Sequence, residues 1–261
     1  MRSLTALIAA ILLLGSPLSN AALTDGLVAH YTFDGNVLDS SSNENHGTAH
    51  GGLTFEAGVL GQAARFDGFS SFVATNSSVG NLGNHATLAF WFQPDPVAFT
   101  RPTRVFEKDD RAYWWFTTVS GGQVALSFSL RQTNSYGPPQ TTLTVGDPST
   151  MLGNWTHVLI RKDGSIVDFF LNGHLVDSTT TAVTGVATTA PMYFGKSYYW
   201  NDFYYAGLVD DARVYDRALN NAEIAQLAMI PEPNGWITLS LGLMALTALR
   251  RNRASRAMSA A

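Results

Sequence analysis

The sequence predicts an all-β fold: a two-sheet antiparallel β-sandwich of the jelly-roll type, with one short helix on the C-terminal side. Three observations predict it. Between Ala22 and Ile230 the apolar residues recur almost everywhere at period two, the spacing of strands with one buried face. The 23 glycines mark turns between these runs, as closely spaced short strands require. The same span contains no long linker and no low-complexity tract, so one domain over residues 22–230 is expected.

The elements follow in chain order. Thr87-Leu88-Ala89-Phe90-Trp91-Phe92 alternates as a strand does, although Trp91 makes its second face partly buried as well. Trp114 and Phe116 share a parity and suit core filling. In Val124 to Leu130 every other residue is large and apolar and the rest are small, which suits an outer face that packs closely or meets solvent. From Ser165 a strand runs through Val167, Phe169 and Leu171 to Asn172-Gly173, and His174-Leu175-Val176 returns. Asn-Gly between two apolar runs is a hairpin signal, because both turn positions need φ > 0. Near the end, Asn220 can cap a helix, Glu223 stands three residues on, and Ile224 with Leu227 supplies an apolar edge.

Composition excludes several classes. With 46% hydrophobic and 14% charged residues the chain is neither a polar disordered tail nor a charged coiled coil. Zero cysteines exclude a disulfide framework and any thiolate metal site. The formal net charge of −4 argues against nucleic acid as a partner, since neutralising phosphates needs a basic face.

That charge averages over unlike parts. Residues 1–21 carry Arg2, an apolar run from Leu4 to Leu14, and small residues before a cut after Ala21, the pattern of a secretory signal peptide. The run is too short to span the ~30 Å bilayer core. At the other end, Pro231-Glu232-Pro233 precedes an apolar segment from Trp236 to Leu249 and an arginine cluster at Arg250, Arg251, Arg253 and Arg256. Residues 231–256 resemble the PEP-CTERM sorting signal of Gram-negative bacteria, although about ten residues follow the first arginine pair. The resemblance implies an exosortase partner in the inner membrane, removal of the tail, and delivery to the cell surface or extracellular matrix. Transient insertion of the apolar segment, with the arginines held on the cytoplasmic side, fits the positive-inside bias. Without both ends, residues 22–233 keep 20 acids and 11 bases, a net charge near −9.

Five further motifs, in order, carry a second resemblance. They are Gly26 to Gly35 leading to Asp39-Ser40-Ser41-Ser42-Asn43; Gly61-Gln62-Ala63-Ala64-Arg65-Phe66-Asp67-Gly68; Trp155-Thr156-His157-Val158; Phe170-Leu171-Asn172-Gly173; and Gly207 to Tyr215 with Arg217-Ala218-Leu219. Together they are similar to the laminin-G-like jelly roll of the concanavalin-A-like lectin/glucanase superfamily. The resemblance implies two stacked antiparallel sheets, one concave. It implies no single function, because this sandwich hosts binding modules, enzymes and adhesion domains.

Two constellations could carry chemistry. Asp34, Asn36, Asp39 and Asp210 are oxygen donors of the kind a hard cation prefers. Many members of the superfamily pin the first strand to the last with a structural Ca²⁺ held by acids at two such places, so the resemblance implies carboxylates from Asp34 and Asp210 and a carbonyl at Asn36. Asp34 and Asp39 equally suit Asx turns beside Gly35 and Ser40. The second constellation is aromatic. Residues 198–205 place six aromatics in eight positions, and Tyr198, Tyr199 and Trp200 beside Asn201, with Tyr136 from another segment, suit a glycan. Rings stack on sugar C–H faces while amides take hydroxyls. A strand buries only alternate residues, so some of these rings must face outward.

Catalysis is not expected. A retaining glycosidase needs two carboxyls about 5–5.5 Å apart, and the one cluster of that look is Glu107-Lys108-Asp109-Asp110, where Glu107 and Asp109 share a parity. In laminin-G-like domains this place is commonly an exposed turn. His30, His46, His157 and His174 are scattered and read as hydrogen-bonded sandwich residues. The expectation is an exported, non-catalytic module binding an extracellular glycan or a matrix protein. The alternatives are a polysaccharide hydrolase or lyase, and a structural or adhesion protein.

Overall fold

The period-two runs form strands throughout. The computed structural model describes residues 23–81, 83–108, 114–120, 123–130, 141–146, 148–185, 188–198 and 203–229, and they belong to one unit that ends at Met229. The expected signal peptide (1–21) and sorting segment (231–256) lie outside the described residues.

Fifteen strands and one helix make up the described chain. The first five strands are β1 (Leu27–Tyr31), β2 (Thr48–His50), β3 (Thr54–Ala57), β4 (Gln62–Asp67) and β5 (Phe72–Ala74). The middle five are β6 (His85–Pro94), β7 (Arg104–Lys108), β8 (Trp114–Ser120), β9 (Gln123–Leu130) and β10 (Thr141–Gly146). Then come β11 (Thr156–Asp163), β12 (Ile166–Leu171), β13 (His174–Thr180), β14 (Met192–Phe194), β15 (Ala206–Tyr215) and the helix α1 (Asn221–Leu227). All pairings are antiparallel. The eight-stranded sheet runs β13-β12-β11-β6-β15-β4-β3, with β1 also beside β15; the seven-stranded sheet runs β10-β9-β8-β7-β14-β5-β2. One edge of the ten-residue β15 is shared, its first half pairing with β4 and its second half with β1.

Between the sheets lies the main core, built from alternate residues such as Phe90, Phe92, Phe106, Phe128, Ile160, Phe169 and Phe194. Burying each such side chain is worth roughly 1.5–3 kcal/mol. A smaller cluster lies on the other face of the eight-stranded sheet, where Leu159, Phe170 and Tyr215 meet Ile224 and Leu227 of α1. Because both faces are covered, β6 is buried without a break from Ala86 to Phe92, which accounts for Trp91. In β9 the small residues Ser127 and Ser129 are buried too, so that outer face packs closely.

Local signals held where they were strong. Asn172 and Gly173 take φ of 48° and 78°, as the hairpin turn requires. Asn220 accepts from the N–H groups of Ala222 and Glu223, and the Glu223 carboxylate accepts from the Asn220 N–H, completing a capping box. Lys108 corrects the expectation of an exposed turn. It ends β7 fully buried, its ammonium donating to the carbonyls of Ser77, Val79 and Ala190. Three acceptors offset the desolvation that a buried cation otherwise suffers. The side chains of Trp114 and Phe116 lie outside what is described.

Candidate functional site

Alternation across the seven-stranded sheet creates an outward aromatic face. Val73, Met192 and Phe194 enter the core, so Phe72 and Tyr193 point out from the neighbouring strands β5 and β14. His50, at the end of β2, stacks on Phe72 with ring centroids 4.4 Å apart and planes 8° apart. Phe72 meets Tyr193 edge-on at 5.5 Å, and Tyr193 stacks on Tyr198 at 5.6 Å. The row continues because Gly195, at φ 89°, turns the chain directly after β14; a Cβ there would run into the Phe66 ring. Lys196 follows, its ammonium 4.7 Å from the Phe72 centroid, 5.4 Å from Tyr193 and 5.7 Å from Tyr204. Burial among these rings pushes its pKa down.

Glu107 shares this outward face, directly opposite Tyr193 in the register, yet is only 2% exposed. Its Oε1 accepts from Ser197 Oγ (3.0 Å) and the Tyr198 N–H (2.9 Å), and its Oε2 accepts from Arg104 Nε (3.0 Å). Burial pushes its pKa up, while Arg104 and these donors pull the other way. Its cross-strand partners are Tyr193 and Trp115, so pairing brings no second carboxylate beside it, and Asp109 lies outside the described residues. Of the expected ligand-binding residues, Tyr198 is half-buried on this face; Tyr136, Tyr199, Trp200 and Asn201 lie outside the described residues. His50, Phe72 and Lys196 were not expected. The strands carrying the first two have only three residues each, too short for periodicity to register.

The oxygen donors divide. Asp34, just after β1, accepts from the Gln62 N–H (2.7 Å); Asp210, in β15, accepts from the N–H groups of Val59 and Leu60 (2.8 and 3.0 Å). Acids near the first and last long strands thus grip one turn, between β3 and β4. Asp210 is fully buried, and its Oδ1 has no hydrogen-bond partner. Burial, with Asp211 next to it, pushes its pKa up to about 6. Asp39 serves elsewhere, accepting from His30 N–H, Ser41 N–H, Ser41 Oγ and Asn45 N–H. The Asn36 amide closes its own turn, between the Asp34 carbonyl and the Leu38 N–H. Among the described residues no three acids or histidines cluster as metal ligands would.

The four histidines differ: two are hydrogen-bonded, one is buried with an unpartnered nitrogen and one is exposed. His30 Nε2 pairs with Asp211 Oδ1 at 2.6 Å, and His46 Nδ1 accepts from the Asp39 N–H. His157 is buried against Trp91 with its Nδ1 unpartnered, and burial pushes its pKa down to about 4. His174 is exposed beside the hairpin turn.

Two stacked antiparallel sheets, with one short α-helix among the described residues, place the molecule in the class of jelly-roll sandwiches. Residues 66–225 match the Laminin_G_3 family, described as the concanavalin A-like lectin/glucanases superfamily, and the chain belongs to that family. Among solved structures it is similar to domain 4 of AbnA, a GH43 extracellular arabinanase from Geobacillus stearothermophilus, in complex with arabinotriose. The two are 25% identical with a TM-score of 0.61, over 78% of this chain and 98% of that one. It is also similar to the binding domain of Paraclostridial Mosquitocidal Protein 1 (18% identity, TM-score 0.63, 79% of this chain and 52% of that one). The receptor binding domain of botulinum neurotoxin D gives 12% identity and a TM-score of 0.65, over 79% and 53%. At these last two identities the likeness is one of fold, and the match spans about half of each toxin chain. Comparison with curated proteins found no match. Among the described residues no helix is long and apolar enough to cross a membrane.

Proposed function

We propose that the chain is an exported, non-catalytic binding module whose ligand is an extracellular glycan, engaged on the outer face of the seven-stranded sheet. The carrying observation is the row of His50, Phe72, Tyr193 and Tyr198 with Lys196 among the rings. It mixes apolar edges, hydroxyls and a cation on one face, as sugar recognition asks. The similarity to an arabinanase domain solved with arabinotriose supports a glycan over a matrix protein. Glu107 supports a non-catalytic reading, because its oxygens are already engaged by three donors of the chain itself. Affinity electrophoresis through gels containing arabinan or another extracellular polysaccharide tests this. Retardation that weakens about fivefold or more in Tyr198→Ala is expected, since losing one aromatic contact costs about 1 kcal/mol or more. Migration indifferent to every polysaccharide contradicts it.

The reading includes a structural Ca²⁺. Asp34 and Asp210 would hold it, and an all-oxygen donor set with one unsatisfied buried carboxylate oxygen suits a hard cation. The remaining ligands would be carbonyls or water, and the ion would supply charge neutralisation with no reaction step. Saturating Ca²⁺ should raise the melting temperature over EDTA by about 5–10 °C, from about 2.7 kcal/mol at a hundredfold excess over Kd. Asp210→Asn should lose that response. A melting temperature indifferent to EDTA, with no metal retained on purification, contradicts the site. Export through residues 1–21 and exosortase sorting through Pro231, Glu232, Pro233, Arg250 and Arg251 complete the proposal.

A further inference from the structure

The inference rests on the reading that the aromatic face bears the ligand. We propose that Arg104 and Glu107 form a two-ended clamp that fixes Tyr198 on one side and Phe203–Tyr204 on the other, which makes Glu107 a positioning residue and not an acid of any reaction. The register shift in β7 between Arg104 and Phe106 makes this possible. In a regular strand residues three apart point to opposite faces, and a bulge restores them to one. Glu107 then reaches the entering chain at Ser197 and Tyr198. Arg104 reaches the returning chain: its backbone N–H donates to the Phe203 carbonyl (3.1 Å), and its guanidinium, the part a substitution removes, lies 5.0 Å from the Phe203 ring centroid. Arg104 and Tyr204 also form a short parallel bridge. The 3.0 Å ion pair between Arg104 and Glu107 joins the two grips.

Ring geometry explains why such a clamp matters. His50 and Phe72 lie face to face, Tyr193 and Tyr198 nearly so, and Lys196 sits over the Phe72 and Tyr193 rings. These rings largely cover one another and offer a ligand mainly edges and hydroxyls. Affinity therefore depends on where Tyr198, Phe203 and Tyr204 are held. Holding those residues before binding removes an ordering cost that the ligand would otherwise bear.

The test is hydrogen exchange by mass spectrometry on peptides covering residues 195–198 and 203–205, paired with retardation in arabinan gels. Glu107→Gln keeps one acceptor for Ser197 and Tyr198 but sets an NH₂ against the Arg104 guanidinium. The double variant Arg104→Leu/Glu107→Leu guards against misfolding, because replacing both members of a buried ion pair by apolar groups is often neutral. In the double variant the 195–198 peptide should exchange about tenfold faster or more, from the loss of the two hydrogen bonds to Glu107, and in both variants the 203–205 peptide should exchange faster as the Arg104 grip loosens, with β11 and β12 unchanged. Arabinan retardation should fall in parallel. Unchanged exchange in both variants overturns the clamp. Faster exchange with retardation intact overturns its role in positioning. If the wild type is retarded by no polysaccharide, the glycan reading falls, while faster exchange in the variants still supports the clamp.

Discussion

His157 shows how a single buried residue sets a pH dependence. Its folded pKa of about 4 lies below the ordinary value near 6.5, so the unfolded chain binds its proton more readily. The stability it contributes is complete above about pH 6.5 and is lost as pH falls through 4, a difference of about 3 kcal/mol. Asp210 runs the other way. Its pKa, raised to about 6, favours the folded state at low pH, and that share disappears as pH rises through 6. In calcium-free protein the two oppose each other, so urea denaturation of wild type and His157→Leu at pH 7 and pH 4 isolates the histidine. The variant should lose about 3 kcal/mol less than wild type on acidification; equal losses contradict the assignment. Nothing around His157 in the sequence predicts this burial. Its depth comes from Trp91, brought opposite by the pairing of β11 with β6. The acids were more legible: a carboxylate after the first strand and another in the last each accept from N–H groups at the turn between β3 and β4.

Elements differ in how openly the sequence declares them. The β12–β13 hairpin and the α1 cap depend on side chains a few residues apart, so their signals survive without tertiary context. Asn220→Ala removes the acceptor for two N–H groups and should cost about 1 kcal/mol, lowering the melting temperature by about 2–4 °C. Thermal denaturation checks this, and no change would place the stability of α1 wholly in its packing on Leu159 and Phe170. Short strands are the opposite case. β2, β5 and β14 have three residues each and exist because their neighbours pair with them, yet they carry His50, Phe72 and Tyr193. The β7 bulge was equally hidden, and with it both the burial of Lys108 and the placing of Arg104 and Glu107 on one outward face. The aromatic site was therefore half legible: the crowded 198–205 segment announced itself, while His50, Phe72 and Lys196 did not.

At the scale of the whole molecule, stability must come from the sandwich core, since the chain has no cysteine. The family membership fixes the architecture and leaves function to the site. On this account the seven-stranded sheet contributes one aromatic outer face for a ligand, and α1 covers part of the outer face of the eight-stranded sheet. The most direct test maps hydrogen exchange of the wild-type protein with and without arabinan, or whichever polysaccharide retards it. The account predicts slowed exchange in peptides covering residues 193–198 and 203–205, no change around α1, and no new reducing ends released from the polysaccharide. Slowing confined to the α1 face, or steady release of reducing ends, would contradict it.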